Sequence, residues 1–333
     1  MSTTRGDDPV AVRAAAALLA AGELVAFPTE TVYGLGARAD DDAAVARIFA
    51  AKGRPADHPL IVHVADMASA QAFAGTLSIG AQRLMAAFWP GPLTVIVARR
   101  PGWGAAAAGG QDSIGLRMPA HPVALALLRA AAALGVPGVA APSANRFGRV
   151  SPTTAAHVVQ ELGPDLCVLD GGACAVGIES AIVDCTRAQP ALLRPGQLSR
   201  AQIEQVLGQP LAAADAASPR ASGTLASHYA PTAGVVLLPA ARLRQQLQAA
   251  APTAKGVHTV LGVYSRVAPG AAPPAGPGWV HRVMPDDAAA VAHELFAVLR
   301  SLDEAGVSAI WVETPPPGPE WDGVRDRLQR AAA

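Results

Sequence analysis

Two apolar segments, Leu24–Phe27 and Leu60–Val64, lie on either side of a polar stretch that could do chemistry. The reactive or charged side chains of this stretch are Thr31, Lys52, Arg54, His58 and His63. Two glycines, Gly34 and Gly36, would let the backbone approach a ligand closely because they carry no side chain. Loops held by a rigid scaffold are common places for binding and catalysis. The pattern therefore predicts a polar site at the ends of two strands.

Two further arginines, Arg117 and Arg194, stand at the ends of predicted strands in the segments IGLRMP and LLRPG. A structural salt bridge or a snorkelling side chain would explain either arginine alone. Together with Lys52 and Arg54, however, they favour an anion site, because arginine binds carboxylate and phosphate with two parallel hydrogen bonds. Lys52 is one of only two lysines in a chain rich in arginine. Its position therefore favours a compact ammonium group.

Hydroxyl and amide side chains follow predicted strands or glycine-containing turns. Such residues are most often turn formers or helix caps, and Ser151 could simply cap the helix after it. Ser143 and Asn145 differ, because they follow Pro142 in the polar segment SANRFGRVSPT. A loop of this polarity is typical of a ligand wall. Ser180 follows a glycine in GIES and is a further candidate.

No side chains are spaced as an evident nucleophile with its base, and no acid pair marks a general acid/base dyad. The three cysteines, Cys167, Cys174 and Cys185, form no CxxC, so neither a disulfide framework nor a metal site is predicted. Such a site suits substrates that react with each other while the protein positions them and stabilises charge. Nucleotidyl and phosphoryl transfer are the leading cases. The residues alone predict an anion-binding α/β enzyme that uses a nucleotide.

The 333 residues suggest two domains, and the interleaving of strand and helix patterns predicts an α/β fold. Residues 8–200 form the first predicted domain, and residues 208–233 a linker rich in Ala, Ser, Pro and Gly. Residues 234–330 follow as a β-α-β-β-α-β-α unit with a largely parallel sheet, whose second strand is predicted from Thr259 to Tyr264. The formal net charge of zero argues against a global field for nucleic acid. Without a segment of about 20 apolar residues we expect no membrane span and a cytoplasmic protein.

Over residues 10–198 the chain closely resembles the threonylcarbamoyl-adenylate synthases, which are YrdC-like domain proteins. The resemblance is carried in order by PTETVYGLG (28–36), KGRPADHPL (52–60), WPGPLTVI (89–96), SIGLRMPAHP (113–122), APSANRFGRVSPT (141–153), GIESAIVD (177–184) and LRPG (193–196). The downstream HYAP at 228–231 is similar to the two-domain form of the family. The resemblance implies a YrdC-like twisted mixed sheet with helices and a positively charged cleft. It also implies a smaller, Rossmann-like C-terminal α/β domain.

The resemblance also implies an activity. The family joins L-threonine, bicarbonate and ATP to give L-threonylcarbamoyl-AMP and pyrophosphate, with Mg²⁺ accompanying ATP. The product would pass to transfer proteins that modify tRNA beside the anticodon, and weak contact with tRNA itself is compatible with this role.

Residue roles carry over by matching positions in the family's motifs. The L-threonine site would consist of Thr31, His63, Arg117, Ala141 and Ser180. The ATP site would consist of Lys52, Arg54, His58, Ser143, Asn145, Ser151, Arg194 and Tyr229, of which Lys52 and Arg54 would be catalytic. Tyr229 would reach back from the linker over the nucleotide. Phe147 stands where many relatives carry serine, so no hydroxyl role is carried over to it.

Alternatives from other classes remain at this point. A carbamoyltransferase of hydrogenase maturation uses the same domain type, but with zinc-finger and acylphosphatase segments that we do not find here. An RNA-binding module would show salt-sensitive tRNA binding without ATP use, but the zero net charge and the lack of interleaved aromatic and basic residues weigh against it. A structural protein needs no concentration of cations at strand ends.

Overall fold

The chain folds into two compact units, and the computed structural model describes residues 3–249, 260–266 and 278–333. The first unit comprises Met1–Phe147 and Ser151–Thr224. The second comprises Gly148–Val150 and Leu225–Ala333. Much of the segment predicted as a linker thus belongs to the first unit. Thr259, the predicted first residue of a strand, lies outside the described residues.

A large mixed sheet forms the first unit. Its strands are β1 (Thr3–Arg5), β2 (Val25–Phe27), β3 (Gly34–Arg38), β4 (Ile61–His63), β5 (Leu93–Ala98), β6 (Ser113–Arg117), β7 (Val139–Ala140), β8 (Cys167–Asp170), β9 (Ala181–Asp184), β10 (Ala191–Arg194) and β11 (Ala212–Ala213). The 11 strands run in the order β1-β8-β2-β3-β7-β4-β6-β5-β9-β10-β11. Both parallel and antiparallel pairs occur, as in β4 with β6 and β5 with β6. The predicted mixed α/β sheet is confirmed.

Helices connect most of these strands. They are α1 (Pro9–Ala20), α2 (Asp42–Lys52), α3 (Met67–Phe73), α4 (Ile79–Phe88), α5 (Pro122–Ala133), α6 (Ala155–Leu162) and α7 (Arg200–Leu207). The side chain of Asp41 caps the first turn of α2, and Gly53 ends this helix in the left-handed conformation that glycine adopts without strain. Asp41 thus sets the start of α2 and Gly53 sets its end, so Lys52 is the last residue of the helix.

Three features of the first unit differ from the sequence-based expectation. Residues 34–38 form strand β3, which was not predicted from the sequence. A Cβ on Gly36 would lie 2.7 Å from Val139 and 2.8 Å from Phe27, so the glycine permits close packing in the sheet. The edge strands β1 and β11 were not expected at all. The cap of α6 is Thr154 and not Ser151, since the Thr154 hydroxyl accepts from the His157 amide.

Apolar strands bring the polar side chains of the first unit together. Phe27, Val62 and Leu116 have no solvent exposure, so the segments that end in polar residues are anchored in the core. In the parallel pairing of β4 with β6, His63 is in register with Arg117. The strand ends thus carry an imidazole and a guanidinium to the same edge of the buried sheet.

The second unit is a smaller α/β domain with a four-stranded parallel sheet. Its elements are β12 (Gly234–Leu238), α8 (Ala240–Ala249), β13 (Leu261–Ser265), β14 (Trp279–Val283), α9 (Ala288–Glu304), β15 (Ala309–Glu313), a 3-10 turn (Pro319–Trp321) and α10 (Asp322–Ala331). The strand order is β12-β15-β13-β14, and each pair is parallel. The predicted parallel domain is confirmed. Within the described ranges, every helix is too short or too polar to cross a membrane.

Candidate active site

The guanidinium of Arg117 is the centre of a buried polar cluster. Arg117 is 3% exposed at the end of β6, and its Nε donates to the carbonyl oxygen of Gly91. Its Nη1 donates to Thr31 Oγ1 at 2.9 Å. Its Nη2 lies 2.7 Å from Glu30 Oε1. The structure therefore brings together two residues predicted to bind L-threonine, Thr31 and Arg117.

The protons around Thr31 can be assigned from the hydrogen-bond partners. The hydroxyl of Thr29 donates its single proton to the Val32 carbonyl oxygen at 2.7 Å. At the 2.8 Å contact between the two threonine hydroxyls, the donor must then be Thr31. Thr31 Oγ1 also accepts from Arg117, which leaves one lone pair on this oxygen. Thr31 can therefore accept one more hydrogen bond from a ligand hydroxyl.

His63 is a buried neutral imidazole beside this cluster. Burial, and then the nearby Arg117 charge, lower the pKa of His63 to about 3. Its ring packs edge-on against Phe27, with the centroids 6.0 Å apart. Among the described residues, Nδ1 has no hydrogen-bond partner. A buried polar atom without a partner is costly, so this nitrogen is a candidate to contact a ligand. Ala141, the other predicted neighbour, donates its amide to Ile61 O and is 5% exposed.

Ser180 and Arg194 form a second buried group on the same sheet. Arg194 Nε donates to the carbonyl oxygen of Ser180, and Nη2 donates to its hydroxyl at 3.2 Å. The same hydroxyl lies 2.8 Å from Thr94 Oγ1 on β5. Arg194 Nη1 donates to Ser222 O at 2.8 Å. A residue predicted for L-threonine thus directly contacts one predicted for ATP.

Lys52 forms hydrogen bonds with the polar loop that follows β7 and contains Ser143 and Asn145. Its ammonium group is buried and donates to the carbonyl oxygens of both Ser143 and Asn145. Its backbone carbonyl accepts from the amide of Phe147 at 2.9 Å. Burial, and next the charge of Arg54, lower the pKa of Lys52. The geometry thus gives Lys52 a contact with the predicted ATP loop through backbone oxygens.

The side chains of Arg54 and His58 both contact the ring of Phe147. The Arg54 guanidinium lies 5.8 Å from the centre of the Phe147 ring, and the His58 ring packs edge-on to it at 5.4 Å. Burial, and then the charge of Arg54, lower the pKa of His58. Arg54 Nη2 donates to Pro59 O and lies 3.5 Å from the Ser222 hydroxyl. Phe147 thus takes part in the site as a cation–π and packing partner.

Ser151 has a different partner from the one expected. Its hydroxyl donates to Glu179 Oε1 at 2.5 Å, and both residues are buried. Asn145, also buried, donates its side-chain amide to Arg146 O. The carboxylate of Glu179 therefore contacts one predicted ATP-site residue, Ser151.

Tyr229 belongs to the second unit. Its ring stacks on Phe296 with centroids 5.4 Å apart, and the guanidinium of Arg327 lies 5.4 Å from the Tyr229 ring centre. Its φ of 63° is the only positive φ of a non-glycine residue in the described ranges. Such a conformation is uncommon and often marks a functional position. Its predicted contact with the nucleotide stays a prediction.

Sequence reasoning missed several buried polar residues at the site. They are Glu30, Thr94 and Glu179. Each lies inside or beside a motif that was singled out, but its partner is remote in the chain. Burial of a carboxylate within a polar motif would have been the informative feature, since acids are almost never fully buried unless paired.

The donor set has limited capacity for a metal ion. Within the described ranges, no group of three or more His, Cys, Asp or Glu side chains could hold one. Mg²⁺ is commonly bound through one or two carboxylates together with substrate phosphates. The residues present therefore fit only a Mg²⁺ ion bound mainly by a nucleotide, and Glu179 is the carboxylate that contacts the predicted ATP site through Ser151.

The fold and the site define an α/β protein whose buried arginines cluster on a large mixed sheet, an arrangement that suits anionic substrates. Comparison with known proteins narrows this class. A family described as telomere recombination matches residues 17–196. A second family, described as threonylcarbamoyl-AMP synthase, C-terminal domain, matches residues 198–333. The two matches together cover both units.

Full-length relatives agree with this assignment. The threonylcarbamoyl-AMP synthase of Pyrococcus abyssi is 38% identical over 335 residues, which covers 96% of this chain and 94% of the relative. That of Schizosaccharomyces pombe is 34% identical over 93% of this chain and 85% of its own length. A crystal structure of P. abyssi Sua5 complexed with L-threonine superposes with a TM-score of 0.87 at 36% identity, covering 98% of this chain and 95% of that one. The chain belongs to the two-domain threonylcarbamoyl-AMP synthases. The family resemblance and the predicted nucleotidyltransferase class are confirmed.

Proposed function

We propose that the first unit makes L-threonylcarbamoyl-AMP and pyrophosphate from L-threonine, bicarbonate and ATP. The observation that supports this most is the state of Arg117. Its guanidinium is buried, one nitrogen is bonded to Thr31, and Nη2 is paired with the Glu30 carboxylate at 2.7 Å. The second N–H group of Nη2 makes no hydrogen bond within the described part of the chain, and a carboxylate oxygen of the substrate matches it. The solved relative with bound L-threonine supports the same assignment.

L-Threonine is bound through three kinds of contact. Arg117 takes the carboxylate, and the remaining lone pair of Thr31 accepts the substrate hydroxyl. His63 stays neutral at physiological pH because its pKa is about 3, so its Nδ1 contributes no charge to the site. Ser180 and the backbone at Ala141 complete the pocket.

ATP is bound by the second group of residues. Arg54 and Arg194 bind phosphate groups, and both already converge on Ser222, which marks a shared position for an anionic or polar group. Lys52 holds the loop of Ser143 and Asn145 in place. The remaining residues of the ATP site are His58, Ser151 and Tyr229. Glu179 would contact a Mg²⁺ ion that accompanies ATP, and such an ion would offset phosphate charge.

The chemistry requires no protein nucleophile. The threonine nitrogen forms a bond to the carbon of bicarbonate or carbon dioxide, and a carbamate oxygen then attacks the α-phosphate. Pyrophosphate leaves. The protein contributes orientation and compensation of negative charge, which are the principal contributions in phosphoryl transfer generally.

The product passes to transfer proteins that place the threonylcarbamoyl group on tRNA. Any contact of this chain with tRNA is weak, because the formal net charge is zero and non-specific affinity depends on neutralising phosphates. We place the reaction in the cytoplasm, where ATP and tRNA are available.

Pyrophosphate release tests the function. With ATP, bicarbonate and Mg²⁺, we expect release to depend on L-threonine, with L-serine and L-valine giving at most about one tenth of the rate, because each lacks a methyl or hydroxyl contact. Omission of bicarbonate should stop release equally. Release that is insensitive to every amino acid would contradict the proposal. Salt-sensitive tRNA binding without ATP use would instead favour the RNA-binding alternative.

Truncation tests the role of residues 210–224. A chain ending after Gln209 is expected to stay folded. Its kcat should be at least about tenfold lower, because Arg54 and Arg194 lose their contacts with Ser222. A chain ending after Thr224 keeps the whole first unit and is the matched control. Equal loss in both chains would assign the effect to Tyr229 and the second unit. Full activity of the shorter chain would refute the role of the segment.

A further inference from the structure

Glu30 is a buried carboxylate beside the proposed L-threonine carboxylate site. It lies in the loop between β2 and β3 and is 9% exposed. Its Oε2 accepts a hydrogen bond from the amide of Ala120 at 3.0 Å. Its backbone carbonyl accepts from the amide of Val176 at 2.7 Å. The first contact orients the side chain and the second holds the backbone in place. The other carboxylate oxygen, Oε1, therefore has a defined position.

The ion pair with Arg117 does not use all of the hydrogen-bonding capacity of the Glu30 carboxylate. Glu30 Oε1 and Arg117 Nη2 are 2.7 Å apart, so the two atoms form an ion pair. A guanidinium nitrogen carries two N–H groups and a carboxylate oxygen has two lone pairs, so the pairing leaves each atom able to make one further hydrogen bond. Within the described part of the chain, neither atom makes one.

An α-amino acid has the right groups for both atoms at once. Its ammonium and carboxylate are bonded to the same carbon, so a donor and an acceptor on the protein must also be neighbours. Arg117 Nη2 and Glu30 Oε1 are such a pair. The cluster also has a net charge near zero, because Arg117 and Glu30 offset each other and His63 is neutral. A zwitterion therefore enters without leaving an unpaired buried charge.

We propose that Glu30 binds the ammonium group of the substrate amino acid and accepts the proton that this nitrogen loses during carboxylation. This inference rests on the proposed function and adds a residue to its site. The balance is simple. L-Threonine with its ammonium group and bicarbonate give the carbamate, one water and one proton, and the proton moves to the Glu30 carboxylate. The ammonium loses this proton first, because the nitrogen needs a free lone pair to attack the carbon. The second N–H proton, made acidic by the new N–C bond, leaves with the hydroxyl group of bicarbonate as water.

The role differs from that of a residue that only orients Arg117. An orienting residue would matter equally to every ligand with a carboxylate. A residue that binds the ammonium matters only to ligands that carry one. (R)-3-Hydroxybutanoate has the carboxylate and hydroxyl of L-threonine but no amine. Comparison of these two ligands therefore separates the two roles.

The test uses the full-length protein and isothermal titration with L-threonine and, by competition, (R)-3-hydroxybutanoate. Glu30→Gln should weaken L-threonine binding at least about tenfold and should not weaken (R)-3-hydroxybutanoate binding, because the variant removes a negative charge beside the ligand carboxylate. At saturating L-threonine its kcat for pyrophosphate release should fall about 100-fold, the range for loss of a proton acceptor. Glu30→Asp keeps the charge and should retain the preference for L-threonine even where its overall affinity is lower.

Each outcome separates the possibilities. Equal loss of both ligands in Glu30→Gln would make Glu30 a residue that positions Arg117 and would overturn the inference. Unchanged binding of both would overturn it as well, and an unchanged kcat would overturn the proton transfer. If the unaltered protein binds no L-threonine, the proposed function itself fails. Glu30→Asp carries the test if Glu30→Gln does not fold.

Discussion

Replacing Arg117 with methionine is expected to raise the KM for L-threonine at least about 30-fold, while the KM for ATP stays within about threefold. A charge-assisted hydrogen bond contributes about 2 kcal/mol, and 1.4 kcal/mol is tenfold in affinity. Arg117 is the buried guanidinium beside Thr31, and it supplies the proposed bond to the substrate carboxylate. The measurement is steady-state pyrophosphate release with one substrate varied at a time.

The same variant should also be less stable. Methionine leaves Glu30 buried without its cation, and removal of one partner of a buried ion pair costs about 3 kcal/mol. The side chains of this pair are 4% and 11% exposed, so solvent screening is small. Urea unfolding measures this loss. Arg117→Lys keeps the charge but cannot contact Gly91 O, Thr31 and Glu30 together, so an intermediate KM is expected.

Arg54→Met is the matched control for specificity. Arg54 is also a buried arginine, but it lies beside Pro59 O and Ser222 and in the proposed ATP site. Its replacement should raise the KM for ATP and leave that for L-threonine nearly unchanged. If Arg117→Met raised both KM values equally, or neither, the assignment of Arg117 to the substrate carboxylate would be wrong.

The sequence predicts much of this site because of where its cations stand. Arg117 and Arg194 each end an apolar strand, and such strands must be buried, so their last residues lie at the edge of the core. The alternation of strands and helices likewise predicts both α/β units. Strand β3 is not predicted, because its glycines give no strand pattern when read locally. The packing of Gly36 against Phe27 and Val139 explains this glycine.

What the sequence alone does not predict depends on contacts between distant segments. Glu179 is a site residue because the Ser151 hydroxyl, 28 positions away, donates to it. Glu30 is oriented by the amide of Ala120, 90 positions away. Lys52 is predicted to be a catalytic residue of the ATP site, and only the structure shows that its ammonium donates to two loop carbonyls. The local sequence shows which residue types stand at positions 30, 52 and 179. It does not show the distant partners that determine the roles of these residues.

Replacing Lys52 with methionine is expected to lower the free energy of unfolding by about 2 kcal/mol near pH 10 and to reduce kcat more than tenfold. The side chain keeps its shape, but the carbonyl oxygens of Ser143 and Asn145 lose their donor in a buried place. The loop that they belong to then no longer holds ATP in position. Lys52→Arg should also lose most turnover, because the planar guanidinium does not fit a site for a compact ammonium. Near-normal activity of Lys52→Arg would contradict this role.

The stability effect of Lys52→Met should depend on pH with a predictable sign. Burial lowers the pKa of Lys52 in the folded protein below its usual value of 10.5. Between these two pKa values the unfolded chain binds more protons, so the free energy of unfolding rises with pH through this interval. Lys52→Met lacks this gain. Its destabilisation relative to the unaltered protein should therefore be smaller at about pH 7 than at about pH 10.

Other groups titrate in the same alkaline pH range, and their effect on the free energy of unfolding must be separated from that of Lys52. Burial raises the pKa of both Cys174 and Cys185 to about 12, so their thiols lower the stability as the pH rises. Both cysteines are present in both proteins, and the difference between the two free energies of unfolding cancels their contribution. Urea unfolding of the pair at matched pH values gives this difference directly. A difference that is constant with pH would show that Lys52 keeps its usual pKa in the folded protein, and a difference that shrinks as the pH rises would show that its pKa is raised.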